Sequence, residues 1–318
     1  MRILIFIALL CVAAQGRGQI YINSYAFGAG SDTLLLDLYP NAATAFSLRK
    51  VRSAYTGNCV TVRRESNGDT TNIGFVDNYL DTATLKTFCS GTNCFVRRWY
   101  DQSGNNRDAV QTTNANQPTI ATAGVIFYKG TTPSLDFDGT NDVLEIPSST
   151  SAFNFIHNGT SSAIFYAGHT DVSSGNYFLG SNATSGGNRG HTLGQDPTHN
   201  LFIGVSRAGV SWSALYNSGN NAISTNNIII SSLFDADNGT AANRLLAYID
   251  GSSTSFGTNT ATAAISTSNA TFNLQLGSAG NNVAQLNGGM KEVIYYSTDQ
   301  TSNRTSIRNN INAFYSVY

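Results

Sequence analysis

The sequence predicts an all-β fold, a sandwich or jelly roll with a few short helices and one closing helix. Three observations carry this reading. The 318 residues include 30 glycines and 11% aromatic side chains but only 12% charged ones, about half the usual charged share. Abundant Thr and Asn beside the glycines suit strands joined by turns. Glu occurs only at Glu65, Glu145 and Glu292, too few for long charged helices. Short apolar or alternating runs are separated by clusters of Gly, Asn, Ser and Asp, which is the spacing of a many-stranded sandwich.

The elements follow in order. Met1 and Arg2 precede an unbroken apolar run from Ile3 to Ala14, too short to span a bilayer and right for a signal-peptide core. Small residues after it place cleavage between Ala14 and Gln19, so residues 1–18 are expected to be a signal peptide and 19–318 one exported sandwich domain. Pro40 suits the first turn of a helix over Asn41 to Leu48. Asp81 can cap a helix from Thr82 to Phe88 with Leu85 and Phe88 on one face. Strands are predicted at Val60–Arg63, Phe95–Tyr100, Val125–Tyr128, Ala163–Ala167, Asn200–Val205, Asn227–Phe234, Leu245–Ile249, Phe272–Leu276 and Met290–Tyr296. Ile307, Ile311, Phe314 and Tyr315 recur at helical spacing, so Thr301–Tyr318 reads as an amphipathic helix packed on the sandwich.

Charge is uneven. Nine of the 18 Lys and Arg fall between Arg49 and Arg107, yet the formal net charge of −1 and pI near 6.4 lack the footprint of a nucleic-acid binder. No later apolar run is long enough to span a membrane. Among the cysteines that survive cleavage, Cys89 and Cys94 close a small loop of turn residues and are the expected disulfide pair, permissible in an exported protein. Cys59 is then the odd thiol and is expected to be buried. No Cys or His spacing reads as a zinc site, and His157, His169, His191 and His199 lie in polar surroundings that suggest exposed positions. Five Asn-x-Ser/Thr sequons, at Asn158, Asn182, Asn238, Asn269 and Asn303, are expected by chance in so Asn- and Thr-rich a chain.

The segment from Ala45 to Gln111 carries the strongest signal. It contains Ala45-Phe46-Ser47-Leu48-Arg49, Ala54-Tyr55-Thr56-Gly57, Leu80-Asp81-Thr82, Cys89-(x4)-Cys94 and Tyr100-Asp101-Gln102-Ser103-Gly104. This resembles the N-terminal part of the catalytic domain of α-L-arabinofuranosidase B, glycoside hydrolase family 54. A similar N-terminal pattern is found in phage tail-associated proteins. From residue 130 to 318 the resemblance is to laminin-G-like sandwiches: Phe137-Asp138-Gly139-Thr140-Asn141-Asp142 is similar to their opening, and Gly288-Gly289-Met290 to their closing strand. Both resemblances imply a concanavalin A-like jelly roll.

The first resemblance implies a retaining glycosidase, which needs a nucleophilic carboxylate and an acid/base about 5–5.5 Å apart. The family's nucleophile is a mid-domain Glu, yet no Glu lies between Glu145 and Glu292. Its acid/base Asp aligns with Asn281, and an amide cannot act as a general acid. The family's adjacent cysteine pair at the sugar pocket is also missing. Asp171 and Asp196 are the weak candidates for a replacement pair; Asp235 and Asp237 also lie mid-chain, and turn formation is the plainer reading of all four. Asp136, Asp138 and Asp142, with Glu145, could offer oxygen ligands to calcium; a polar strand edge and turn is the plainer reading. Asp101 reads as a structural hydrogen-bond hub. Sugar binding needs an aromatic face and amides, for which Trp212, Asn281 and Asn282 are the candidates; Trp99 reads as core. The expected function is thus that of a secreted carbohydrate-binding protein with the catalytic pair lost. The alternatives are an active arabinofuranosidase acting on arabinan or arabinoxylan, and a structural or adhesive surface component.

Overall fold

Ala42–Ser47 is a strand with all six residues buried, not the helix expected over Asn41–Leu48. Pro40 precedes the strand instead of opening a helix, and the short helix Leu35–Leu38 lies upstream. The reason is tertiary. Ala45 packs in the cluster beneath the C-terminal helix, while Phe46 faces the other way into the main core, 5.7 Å from the Trp99 ring. Opposite faces for successive residues are the signature of a strand buried on both sides.

The computed structural model describes residues 33–172, 175–182, 188–197, 200–207, 213–216, 225–252, 258–259 and 266–318; the expected signal peptide lies outside them. The strand Asn287–Tyr296 is the spine. Ala42–Ser47 runs antiparallel along one side of it, joined on the same side by Leu135–Asp138. Ser162–Thr170 pairs on the other side, followed by Ile228–Phe234 and Leu245–Ile249. A second run consists of Thr70–Ile73, Val60–Arg64 and Cys94–Trp99, and a third of Asn176–Gly180, Arg189–Gln195, Leu201–Arg207 and Ser213–Tyr216. Further pairings join these runs into one antiparallel sheet that curls into a β-sandwich.

Phe46, Trp99, Phe137, Tyr166, Phe178 and Tyr295 fill the main core. A second apolar layer lies between Phe165, Ile294 and Tyr296 on the sheet and Ile307, Ile311 and Tyr315 of the closing helix, Arg304–Tyr315. The helix Thr82–Phe88 forms as expected, with Asp81 accepting from the Thr84 N–H. Val125–Tyr128 is not one strand; Phe127 separates two short pieces, Val125–Ile126 and Tyr128–Lys129. Phe272–Leu276 contributes only Gln275–Leu276.

The histidines are a larger correction. His157, His169 and His191 are buried, each at most 1% exposed; His199 lies outside the described residues. Polar neighbours in sequence misled because these side chains use polar partners inside the fold. His157 Nε2 contacts the Ser268 carbonyl. His191 lies between Ser181 Oγ (3.3 Å) and Tyr295 OH (2.9 Å).

Candidate functional site

The Tyr100–Gly104 segment ties the two ends of the sandwich's N-terminal region together. Asp101 Oδ1 accepts the Ala45 and Ser103 N–H groups, and Oδ2 accepts the Ser103 hydroxyl and the Arg107 N–H. Gln102 Oε1 accepts the Val51 N–H, and its amide donates to the Ser47 and Arg49 carbonyls. Both side chains are buried and their acceptors are filled by backbone groups, so this motif holds strands in register. Cys89, which caps Thr82–Phe88, is joined to Cys94 at the start of Cys94–Trp99 by a disulfide. Cys59 is free and buried, and burial raises its pKa out of the reactive range.

The three glutamates are all occupied. Glu292, fully buried, accepts from the Ser47 hydroxyl, two nitrogens of Arg49 and the Tyr315 hydroxyl. Glu145 accepts from Asn273 Nδ2 and Gln275 Nε2. Glu65 accepts from Asn93. Glu292, enclosed by donors, is a poor nucleophile, because attack would forfeit its hydrogen bonds; Glu145 is half-buried and Glu65 exposed, each held by side-chain amides.

Asn281 and Asn282 form an exposed turn with left-handed backbone (φ +57° and +54°). Asn282 exchanges two hydrogen bonds with Gln275, whose amide also reaches Glu145. Asn281, the residue expected at the acid position, thus lies beside an amide network and one half-buried carboxylate. The Asp196 carboxylate accepts from the Asn200 backbone and side chain, and that of Asp235 accepts from the Asn238 side-chain amide. Trp212 lies outside the described residues.

A second cluster gathers around His169. Asp136, Gly289 and His169 stand directly opposite one another across three adjacent strands, and directly opposed residues share a face. Asp171 follows His169 by two residues and lies just past the strand end. Lys129 Nζ pairs with Asp171 Oδ1 at 2.8 Å. Lys291 Nζ donates to the Lys129 carbonyl and the Thr132 hydroxyl. Phe127 stacks on the imidazole at 6.1 Å. A Cβ on Gly289 would lie 2.4 Å from His169 Cε1, so glycine there makes room for the ring. His169 Nε2 approaches Asp171 Oδ2 at 3.4 Å without the alignment of a hydrogen bond, and neither ring nitrogen has a hydrogen-bond partner among the described residues.

Burial sets the protonation of this cluster. It lowers the His169 pKa to about 4 despite the opposing pull of Asp171, and lowers Lys291 to about 8. It raises Asp136 to about 6, with Asp171 and Asp138 adding to the rise and Lys129 opposing it. The arrangement therefore places a carboxyl that holds its proton toward neutrality near a carboxylate pinned by an ammonium, the kind of division that acid/base chemistry uses. Asp138 accepts the Thr140 and Asn141 N–H groups, and Asp142 accepts the Asp138 N–H. Among the described residues no three His, Cys, Asp or Glu side chains converge as a metal site, so the calcium candidates Asp136, Asp138 and Asp142 do not assemble into one there. The sequence reading missed His169, Lys129, Lys291 and Gly289; the two-residue spacing of His169, on a strand, and Asp171, just past its end, was the available signal.

The strand order and the closing helix define a class by fold alone, a curled antiparallel β-sandwich. Residues 37–129 match the family model described as alpha-L-arabinofuranosidase B, catalytic, and the chain carries the fold of that catalytic domain, of glycoside hydrolase family 54. A probable alpha-L-arabinofuranosidase B of Aspergillus flavus is 38% identical over 74 residues, 23% of this chain and 15% of that protein. The alpha-L-arabinofuranosidase B of Aspergillus oryzae is 36% identical over the same length and shares. A crystal structure of arabinofuranosidase complexed with arabinofuranosyl-alpha-1,2-xylobiose superposes over 88% of this chain and 64% of its own, with a TM-score of 0.63 and 17% identity. A GH54 arabinofuranosidase soaked with a cyclic sulfate inhibitor gives 0.61 and 18% over the same shares. The chain thus spans less than two thirds of these relatives.

Proposed function

We propose that this protein is a secreted, glycan-directed module that keeps the arabinofuranosidase B fold, binds arabinose-containing polysaccharide and has lost the family's catalytic pair. The observation that carries this reading is the engagement of all three glutamates in structural hydrogen bonds, together with Asn281 at the expected acid position. The abundant amides of the Asn282–Gln275 network are suited to sugar hydroxyls. One observation favours a second reading, an active enzyme with relocated carboxylates: the buried His169, whose ring nitrogens have no hydrogen-bond partner among the described residues, beside Asp136 and Asp171.

The test sets release of arabinose from a chromogenic arabinofuranoside beside binding to arabinan and arabinoxylan on a glycan array. Binding without turnover is the expected result. Turnover that disappears in Asp136→Asn or Asp171→Asn, with the fold retained, establishes the second reading in its place. Absence of both turnover and binding overturns both and leaves the structural or adhesive role.

A further inference from the structure

An open groove of about 370 Å³ lies over the run of Thr70–Ile73, Val60–Arg64 and Cys94–Trp99, lined by Thr61, Thr70, Arg97, Arg98, Tyr100 and Thr112, with Val110. Its volume falls in the range of small-ligand sites. Its floor includes a row of directly opposed residues across three strands, Thr61, Arg98 and Val110, with Asn72 next to Thr61 in the same row. Thr61 donates to Asn72 Oδ1, and the Tyr100 hydroxyl lies 3.0 Å from the Thr61 hydroxyl.

The two arginines owe their placement to a backbone irregularity. Thr61 pairs with Arg98 and Val62 with Val96, so Arg97 is an extra residue with no partner across the ladder. A β-bulge of this kind re-aims a side chain and is frequent beside functional sites. Here it turns two successive arginines to solvent, where strict alternation would bury one; both are exposed. Arg98 is held, with its guanidinium 3.3 Å from Asp108 and over the Tyr100 ring at 5.5 Å. Arg97 has no ion pair or side-chain hydrogen bond among the described residues.

We propose that this groove is a subsite for acidic sugar, in which Arg97 and Arg98 receive the carboxylate of a uronic acid residue and the threonine and tyrosine hydroxyls meet its ring hydroxyls. A guanidinium presents a planar fork that matches a carboxylate. The proposal rests on the glycan-binding reading and names a charged component within it. A nucleic acid is the poorer fit, because the chain is net negative and the groove offers two guanidiniums, not a track of phosphate contacts.

The experiment compares the retardation of the full chain in native gels containing polygalacturonate, neutral arabinan or a single-stranded oligonucleotide, at low and high salt. The expected result is tighter binding to polygalacturonate that weakens with salt. Arg97→Ala should lose about tenfold of that affinity, the scale of one charge-assisted hydrogen bond, while arabinan binding and thermal unfolding stay unchanged. Arg97→Lys should recover part of the loss. Equal retention by acidic and neutral glycans, or no response to Arg97→Ala, overturns the subsite while leaving arabinan binding intact. Retention of the oligonucleotide as tight as that of polygalacturonate also overturns it. Binding to polygalacturonate alone supports the subsite and overturns the arabinose-directed reading.

Discussion

Glu292 shows how a residue's chemistry is spent on structure. Its carboxylate meets Ser47, Arg49 and Tyr315 inside the fold, joining the first strand, the spine and the closing helix. Glu292→Gln is expected to destabilise the protein by about 3 kcal/mol, because it leaves the Arg49 guanidinium buried without its counter-charge; urea unfolding measures it. Any lost binding in that variant then reports folding. Two other buried groups set opposite pH dependences. Asp142 is 5% exposed, and burial with Asp138 nearby raises its pKa to about 7. A raised carboxyl pKa contributes stability that is full below the unfolded value near 4 and is lost as pH rises through 7. Asp142→Asn should therefore gain on the wild type between pH 5 and 8, by about 1–3 kcal/mol. His191 is depressed to about 3 by burial, with His157 adding to it, so its stability is present above about 6.5 and is lost as pH falls toward 3. His191→Gln should flatten the acid side of the same profile. Urea midpoints of the wild type and these variants that stay parallel across that range would show that these groups are hydrated.

At the scale of elements, Asp81–Cys89 and Cys94–Trp99 were legible in the sequence because their signals are local: a cap, a short loop of turn residues and alternation. The disulfide fastens the end of that helix to the start of that strand across a separation of five residues. Replacing both cysteines by serine should cost about 2 kcal/mol, from the loop-closure entropy of so short a ring, and the wild type under reductant should lose a similar amount. Asn41–Leu48 was illegible for the converse reason. Its propensity and Pro40 allow a helix, and only pairing with Asn287–Tyr296, some 245 residues away in sequence, makes it a strand. The same holds for the bulge at Arg97: two adjacent arginines in a strand read as one inward and one outward until the register of Val60–Arg64 is known. His169 stayed hidden because its neighbours come from three separate stretches, and no local window contains Phe127, Lys129, Gly289 and Asp171 together.

The whole molecule depends on a layer that the sequence did announce. Ile307 and Ile311 recur at helical spacing, and both are fully buried against Phe165, Ile294 and Tyr296. The helix therefore acts as the cover of the sandwich's second face, and the sheet beneath it is apolar because it is covered. Arg308 adds a donor to the Ser252 carbonyl, and Arg304 stacks on Tyr248 at 3.6 Å, which tie the helix to the turn after Leu245–Ile249. A chain ending before Asn303 would lose Tyr315 from the Glu292 pair and uncover that apolar layer at once. Both losses act on the spine strand, which pairs with Ala42–Ser47 and Ser162–Thr170, so the damage should spread beyond the helix. The truncated chain is expected to bind a hydrophobic dye and to unfold without a cooperative transition. Calorimetry alongside dye fluorescence decides the matter: a sharp transition with little dye bound would mean that the sandwich closes without its helix.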